Sequence, residues 1–205
     1  MTGLDLARYY LAVLILVTVP GAVLFWFPIH PFAAFWRRAG VGPAYVVGFG
    51  VMIVVGVALF LFRAPLLAVD FGTSRVTAGA GVVLLVVSAI IRQRWGKQLK
   101  ISTLFGLPEL APGRYPSRLL TEGIYARVRH PRYLEYSLGA IGSALLCNYA
   151  AAYIAVLFTI VGLVVLVPFE ERELEDRFGD DFREYRRRVP AVFPLLRRAG
   201  DARRR

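Results

Sequence analysis

Four long stretches without a charged residue dominate this sequence. They are Tyr9–Ile29, Ala39–Phe62, Val76–Ile91 and Tyr136–Phe169, with 21, 24, 16 and 34 residues. Because an α-helix rises about 1.5 Å per residue, about 20 apolar residues cross a hydrocarbon core of about 30 Å. The charges are segregated too, with eight in residues 1–92 and twenty in the last 37 residues. This pattern predicts an integral-membrane protein and excludes a soluble enzyme or a disordered tail.

The longest stretch, Tyr136–Phe169, exceeds one span but falls short of two full ones. A polar turn at Asn148 interrupts it near its middle, which favours a helical hairpin over residues 132–169. We therefore predict an all-α bundle of about five transmembrane helices. Three lie in residues 1–92, and residues 93–205 hold a cytosolic loop, the hairpin, a C-terminal cytosolic helix and a basic tail.

Basic residues gather on one side of the predicted spans. Residues 92–132 contain nine Lys and Arg against two Glu, and the turn at Asn148 has none. Since basic loops stay in the cytosol, we predict a cytosolic loop and C-terminus and an N-terminus outside. The net charge of +11 then reflects topology and contact with anionic lipids, and nucleic-acid binding is a poor interpretation. The 23 Arg against two Lys suggest a bacterial genome, and hence the bacterial plasma membrane, as a hypothesis.

A charged segment begins at Glu170. Apolar residues recur in it every three or four positions, which predicts an amphipathic helix with one buried face. These residues are Leu174, Phe178, Phe182, Tyr185 and Val189. Pro190 and Pro194 are expected to end this helix.

The sequence does not indicate a metal site. It has one cysteine, Cys147, and two histidines, His30 and His130. One thiol cannot form an internal disulfide or a thiolate cluster, and two imidazoles are too few for a histidine-rich site. We expect no metal.

A first polar cluster, Thr121–Tyr133, leads into the fourth predicted span. Pro131 suits the first turn of a helix, where its missing N–H is not needed. Arg129, His130 and free backbone amides would then meet at a helix N-terminus, which favours a carboxylate or another anion. Interfacial anchoring by Arg and Tyr is the structural alternative.

A second polar cluster, Glu170-Glu171, lies where the fifth predicted span ends. Such a carboxylate pair could hold ribose hydroxyls, an amine or a sulfonium, or it could simply begin a solvated helix. The hairpin places both polar clusters on the cytosolic side of the membrane. Together they predict one pocket.

These clusters belong to an ordered set of motifs over about residues 96–196. The set consists of Leu120–Tyr125, Arg129–Tyr133, Glu170-Glu171, Phe178-Gly179 and Tyr185–Pro190 with Pro194. It resembles the isoprenylcysteine carboxyl methyltransferase and phospholipid methyltransferase superfamily. Leu146-Cys147-Asn148 at the hairpin turn is similar to the isoprenylcysteine branch.

The resemblance implies a membrane enzyme that binds S-adenosylmethionine in a cytosol-facing pocket and methylates a lipophilic acceptor from the bilayer. The acceptor would be an isoprenylcysteine-like carboxylate or a lipid amine. By position, the cofactor-binding residues would be Tyr125, Arg129, His130, Pro131, Tyr133, Leu134, Glu170, Glu171 and Tyr185. We predict catalytic roles for Glu135, Glu171 and Arg129.

Two features depart from the family pattern. Glu135 stands where the family usually has glycine, so it either crowds the cofactor, contacts a cationic group of the acceptor, or pairs with Arg129 or Arg132. Val164–Phe169 is wholly apolar where eukaryotic prenylcysteine enzymes carry basic residues, which weakens a prenylcysteine carboxylate as acceptor. Residues 1–92 carry no motif that we can assign.

Two other functions compete with methyl transfer. An NADPH-dependent membrane reductase of the sterol-reductase type shares a related C-terminal half, but such proteins are generally larger and have more spans. A non-catalytic membrane scaffold or small transporter would use the polar clusters as headgroup anchors, and would make the ordered motifs a coincidence.

Overall fold

The computed structural model describes residues 2–192, and this part of the chain is helical. Within it the one β-type pairing is an isolated bridge between Asp70 and Tyr149. The helices are α1 (Gly3–Leu24), α2 (Ala33–Ala39), α3 (Val41–Leu61), α4 (Arg63–Leu66), α5 (Arg75–Gly96), α6 (Ile101–Leu104), α7 (Leu107–Leu110), α8 (Pro131–Cys147), α9 (Ala150–Phe178) and α10 (Asp180–Arg188). Short 3-10 turns occupy His30–Phe32 and Gly123–Ala126. The predicted all-α class is confirmed.

Four of these helices, α1, α3, α5 and α9, are long and apolar enough to cross a membrane. The predicted hairpin is formed by α8 and α9, which pack together on either side of a turn at Asn148-Tyr149. Asn148 adopts the left-handed conformation with φ of 57°, which asparagine tolerates better than most residues. Because α8 has only 17 residues, the count of five spans stays a prediction.

The charged segment after Glu170 differs from the single helix that we predicted. The membrane helix α9 continues through Glu170 to Phe178, and α10 follows as a separate helix. A change from apolar to charged residues does not interrupt backbone hydrogen bonding, whereas Gly179 does, with φ of 57° and ψ of −128°. Helix α10 ends at Arg188, before Pro190. Pro194 and the basic tail lie outside the described residues.

Close packing between α5 and α8 depends on glycine. A Cβ atom at Gly81 would lie 2.7 Å from the carbonyl oxygen of Gly142, and one at Gly142 would lie 2.8 Å from that of Gly81. Small residues allow this approach between membrane helices, where lipid provides no hydrophobic drive for association. The contact aligns α8, which carries the first polar cluster, against α5.

A buried arginine fixes the end of the bundle opposite the polar clusters. Arg8 donates from Nε to the carbonyl oxygen of Cys147 (3.0 Å) and pairs with Asp70. Its guanidinium lies 5.4 Å from the ring centre of Tyr149. These contacts hold α1, the loop before α5 and the hairpin turn together, so the hairpin turn and the loop at 97–130 lie at opposite ends.

This arrangement allows a direct test of the predicted orientation. In a Cys147→Ser background, Gly3→Cys and Gly113→Cys should react from opposite sides of sealed vesicles with a membrane-impermeant maleimide. Both positions are exposed and free of close neighbours, so labelling reports topology and not burial. Reaction of both cysteines from the same side would contradict the orientation.

Candidate active site

The first polar cluster is fixed against the C-terminal segment by backbone hydrogen bonds. The N–H groups of Arg129 and His130 donate to the carbonyl oxygens of Pro190 (2.9 Å) and Ala191 (2.8 Å). Nearby, the Tyr185 hydroxyl donates to the carbonyl oxygen of Tyr125 (2.6 Å). Thus the motif before α8 and the segment after α10 form one structural unit.

Glu171 lies at the centre of this unit. Its Oε1 accepts hydrogen bonds from Arg129 Nε (2.8 Å), Arg129 Nη2 (2.6 Å) and His130 Nε2 (3.0 Å). Arg129 also donates from Nη1 to the carbonyl oxygens of Arg186 (3.0 Å) and Val189. Because Glu171 is buried and Arg129 donates to Glu171, Arg186 and Val189, both residues stabilise the unit.

His130 lies between the two neighbouring carboxylates. Its Nδ1 is 3.5 Å from Glu170 Oε2, and its ring stacks on Tyr133 at 5.3 Å between centroids. Burial disfavours the charged imidazolium, but Glu170 and Glu171 outweigh it and raise the pKa of His130 to about 9. His130 is therefore a cation at neutral pH.

Glu170 faces a cavity beside this network. The cavity measures about 710 Å³ including its mouth, and the Tyr133 hydroxyl donates to Glu170 Oε2 at its edge (2.6 Å). Seven of the predicted cofactor-binding residues line it: Tyr125, Arg129, His130, Pro131, Tyr133, Glu170 and Tyr185. Leu134 and Glu171 do not line it. Their cofactor roles, like those of the seven, stay predictions.

Two tyrosines of this wall stay neutral near physiological pH. Burial raises the pKa of Tyr125 to about 12 and also raises the pKa of Tyr185. Each therefore presents an aromatic face, and neither adds a negative charge to the wall.

Other polar atoms in the cavity lack partners. Ser117 Oγ and the Nε and Nη1 atoms of Arg177 are buried, and no other described residue forms a hydrogen bond with them. The third guanidinium nitrogen, Nη2, pairs with Glu173 (3.1 Å). Since unpaired buried donors are costly, the cavity fits a ligand that carries acceptors near Arg177 and donors or positive charge near Glu170.

The N-terminal half, in which no motif was assigned, also contributes to this region. His30 Nδ1 lies 2.8 Å from Glu109 Oε1, and Arg37 donates to Glu173 Oε1 (3.0 Å). Burial opposes the charged form of His30, but Glu109 raises its pKa above the ordinary value. His30, Glu109 and Glu173 line, together with Glu170, a second cavity of about 510 Å³ including its mouth.

A signal for this contact was nevertheless present in the sequence. His30 directly follows the first apolar stretch, and Glu109 is one of two acids in a basic loop. Opposite charges at the same membrane face are candidates for pairing. Within residues 2–192, no group of three or more His, Cys, Asp or Glu is arranged to hold a metal ion.

Glu135 lies away from the Glu170 cavity. Its Oε1 is 3.4 Å from the Ser88 hydroxyl, and no described cation approaches its carboxylate within 4 Å. Of the two arginines considered as partners, Arg129 binds Glu171, whereas Arg132 donates to the carbonyl oxygen of Leu104 (3.3 Å) and lies over the Trp95 ring. Among the described residues, Glu135 therefore forms neither of the two ion pairs that were considered as alternatives.

Comparison with known proteins identifies the family. Residues 76–181 match the family model described as phospholipid methyltransferase, which covers just over half of the chain. The chain belongs to this family. No solved structure matches it.

Two of the curated relatives described here are named as methyltransferases, and a third is named as a metal-resistance protein. Protein-S-isoprenylcysteine O-methyltransferase of Schizosaccharomyces pombe is 35% identical over 79 residues, covering 38% of this chain and 34% of the relative. Methanethiol S-methyltransferase 1 of Bradyrhizobium diazoefficiens is 31% identical over 134 residues, covering 62% of this chain and 44% of the relative. The cobalt-zinc-cadmium resistance protein CzcN of Cupriavidus metallidurans is 37% identical over 86 residues, covering 41% of this chain and 39% of the relative. The chain thus spans less than half the length of these relatives.

The charge state of His130 predicts a pH-dependent stability. Its pKa rises from 6.5 to about 9 on folding, so its contribution is complete below about pH 6.5 and is lost as the pH rises through about 9. His30 acts in the same direction. We expect the Tm of the detergent-solubilised protein, followed by tryptophan fluorescence, to fall between pH 6.5 and 9.5.

Two variants show how much of this pH dependence of the Tm comes from each histidine. His130→Gln should lower the Tm at pH 6.5 and flatten the pH dependence, whereas His30→Gln should keep the part that comes from His130. A Tm of the unaltered protein that stays constant or rises over this range would contradict the assignment.

Proposed function

We propose that this protein is a membrane methyltransferase that transfers a methyl group from S-adenosylmethionine to a lipophilic acceptor. The observation that carries the proposal is the cavity beside Glu170, which has a carboxylate on one wall and unpaired Ser117 and Arg177 donors on another. Family membership supports the reaction type, and the apolar helices support a membrane location. We further propose a cytosol-facing site in a bacterial plasma membrane, with membrane lipids and a lipophilic substrate as partners.

The cavity residues suit the functional groups of this cofactor. The unpaired Nη1 atom of Arg177 can donate a charge-assisted hydrogen bond to its carboxylate, and the unpaired Nε atom can donate to a second acceptor. Glu170 can accept hydrogen bonds from ribose hydroxyls or oppose positive charge, and Tyr125 and Phe182 offer apolar walls. His130, held by Glu171, then fixes the position of Glu170 through charge.

The chemistry requires alignment more than acid–base groups. When bound, S-adenosylmethionine supplies a methyl group on a sulfonium, whose C–S electron pair leaves with sulfur as the acceptor lone pair forms the new bond. Holding donor and acceptor in line makes the step effectively unimolecular. A carboxylate or thiolate acceptor needs no base, whereas an ammonium acceptor must first lose a proton to a carboxylate such as Glu135 or Glu171.

Relatives suggest two acceptor chemistries. The name of the Schizosaccharomyces pombe relative refers to isoprenylcysteine, and that of the Bradyrhizobium diazoefficiens relative to methanethiol. For this chain we propose a lipophilic molecule that enters from the bilayer, because the cytosolic cavity adjoins apolar helices. A reductase would require NADPH in the same cavity, and a scaffold would bind neither cofactor.

Isothermal titration calorimetry on detergent-purified protein tests the cofactor. S-adenosylmethionine and its demethylated product should bind with micromolar to sub-millimolar affinity, while NADPH should not bind. Glu170→Gln and Arg177→Gln should each weaken binding about ten- to a hundredfold, since a hydrogen bond to a charged group contributes about 1.5–3 kcal/mol.

Glu184→Gln is the matched control, because this glutamate lies on α10 with its side chain 61% exposed. It should bind the cofactor like the unaltered protein. If Glu170→Gln and Arg177→Gln also bind normally, the cofactor site lies elsewhere, and if the unaltered protein prefers NADPH, the reductase is the better interpretation.

A further inference from the structure

The carboxylate of Glu173 joins two arginines from distant parts of the chain. Arg37 of α2 donates from Nη2 to Oε1 (3.0 Å), and Arg177 of α9 pairs through Nη2 with Oε2 (3.1 Å). Each arginine thus takes one oxygen of a carboxylate whose side chain is only 5% exposed. A buried carboxylate requires such compensation. Since two cations surround one anion, the cluster keeps an excess of positive charge.

The arginine from the N-terminal half is held independently of Glu173. Arg37 also donates from Nε to the carbonyl oxygen of Glu109 (2.9 Å), and the Glu109 carboxylate lies 2.8 Å from His30 Nδ1. These contacts hold α2 against α7 and against the 3-10 turn at His30–Phe32. The guanidinium of Arg37 therefore meets Glu173 from a fixed position.

Arg177 is the member of this cluster that reaches the Glu170 cavity. It lines both that cavity and the second one, whereas Glu173 lines only the second cavity. A guanidinium carries its N–H donors in a rigid planar fork, so fixing Nη2 on Glu173 sets the directions of Nε and Nη1. These are the two nitrogens without a partner among the described residues. Glu173 is thus outside the wall that a ligand in the Glu170 cavity would touch, but it orients a donor in that wall.

Arg37 limits how Arg177 pairs with Glu173. Arginine often binds a carboxylate through two parallel hydrogen bonds, one to each oxygen. Here Arg37 occupies Oε1, which leaves Oε2 for Arg177. Without Arg37, both oxygens would be available, and a second nitrogen of Arg177 could turn toward Glu173. Arg37 therefore keeps that nitrogen available to the cavity.

We propose that Glu173 and Arg37 are positioning residues that orient Arg177 toward the carboxylate of the methyl donor. The inference rests on the proposed function and deepens it, because it gives α2 of the N-terminal half a part in cofactor recognition. Both residues act through Arg177 and contact no cofactor atom. A role in bracing α2 against α9 would instead affect every ligand of the cavity equally.

Two matched ligands separate these roles. S-adenosylhomocysteine, the demethylated cofactor, and its decarboxylated analogue share the nucleoside, the thioether and the amine, and they differ only in the carboxylate. Burial raises the pKa of Glu173, which lies beyond the apolar stretch that ends at Phe169, to about 7. Binding is therefore measured at about pH 8, where this carboxylate is charged.

Calorimetry on detergent-purified protein gives the ratio of the two affinities. The unaltered protein should bind S-adenosylhomocysteine about tenfold more tightly than the analogue, because one charge-assisted hydrogen bond distinguishes them. Glu173→Gln and Arg37→Met should each bring this ratio close to one by weakening S-adenosylhomocysteine alone. Binding of the decarboxylated analogue should not change.

Glu175→Gln is the matched control. Glu175 lies on the same helix and also pairs with two arginines, Arg183 (3.0 Å) and Arg186 (3.1 Å), but it lines neither cavity. This variant should keep the ratio of the unaltered protein. In an Arg177→Gln background, Glu173→Gln should cause no further change in the ratio, since residues that act through one another are not additive.

Several results would overturn the proposal. One is an affinity ratio that Glu173→Gln and Arg37→Met leave unchanged, and another is equal weakening of both ligands by Arg37→Met, which indicates bracing. If Glu173→Gln does not fold and binds neither ligand, Arg37→Met decides, because Arg37 is 32% exposed and its replacement disturbs the core less. Equal binding of both ligands by the unaltered protein would overturn this inference and leave the proposed function standing. Binding of neither ligand would remove both.

Discussion

Two adjacent carboxylates near the C-terminal end of the apolar helix α9 govern the structure around them. Glu171 is buried, and an uncompensated charge there would cost several kcal/mol. Arg129 and His130 supply the compensation, and both belong to the segment that leads into α8. The need to pair the buried charge of Glu171 on α9 therefore fixes the position at which α8 begins. Through Pro190 and Ala191 it also fixes where the chain runs after α10.

The two carboxylates have different surroundings because of helix geometry. Successive residues on an α-helix point about 100° apart, so Glu170 and Glu171 cannot face the same space. Glu171 receives three hydrogen bonds from the protein, while Glu170 faces the cavity and accepts one from Tyr133. One acid thus holds the site together, and its neighbour is available to a ligand. A motif of two acids serves two physical purposes.

The sequence predicted the features that depend on local composition. Apolar stretches identified the membrane helices, and Asn148 identified the hairpin turn, which in turn brought His130 and Glu170 to the same end. Composition was a misleading guide to the helix boundary near Glu170. A helix continues through a change in polarity, and α9 ends only where the backbone leaves helical geometry, at Gly179. Glycine at that position was the better signal.

Individual pairs between distant segments could not be assigned from the sequence, although opposite charges at one membrane face made them candidates. His30 with Glu109 and Arg37 with Glu173 join segments separated by 79 and 136 positions, and no periodicity encodes such partners. These contacts give residues 1–92 a place in the site although that half carries no recognised motif. The same reasoning explains Glu135, whose expected arginine partners are engaged elsewhere through contacts that a single sequence does not reveal.

The beginning of α8 forms the wall between the Glu170 cavity and a groove that is lined by residues of α1, α5 and α8. Tyr133 and Glu135 are two positions apart, which separates their directions by about 200° on a helix. Tyr133 accordingly reaches Glu170, whereas Glu135 faces the groove beside α1 and α5. Arg132 and Tyr133 are the α8 residues that line both the Glu170 cavity and the adjoining part of the groove, so the two spaces meet at the edge of α8.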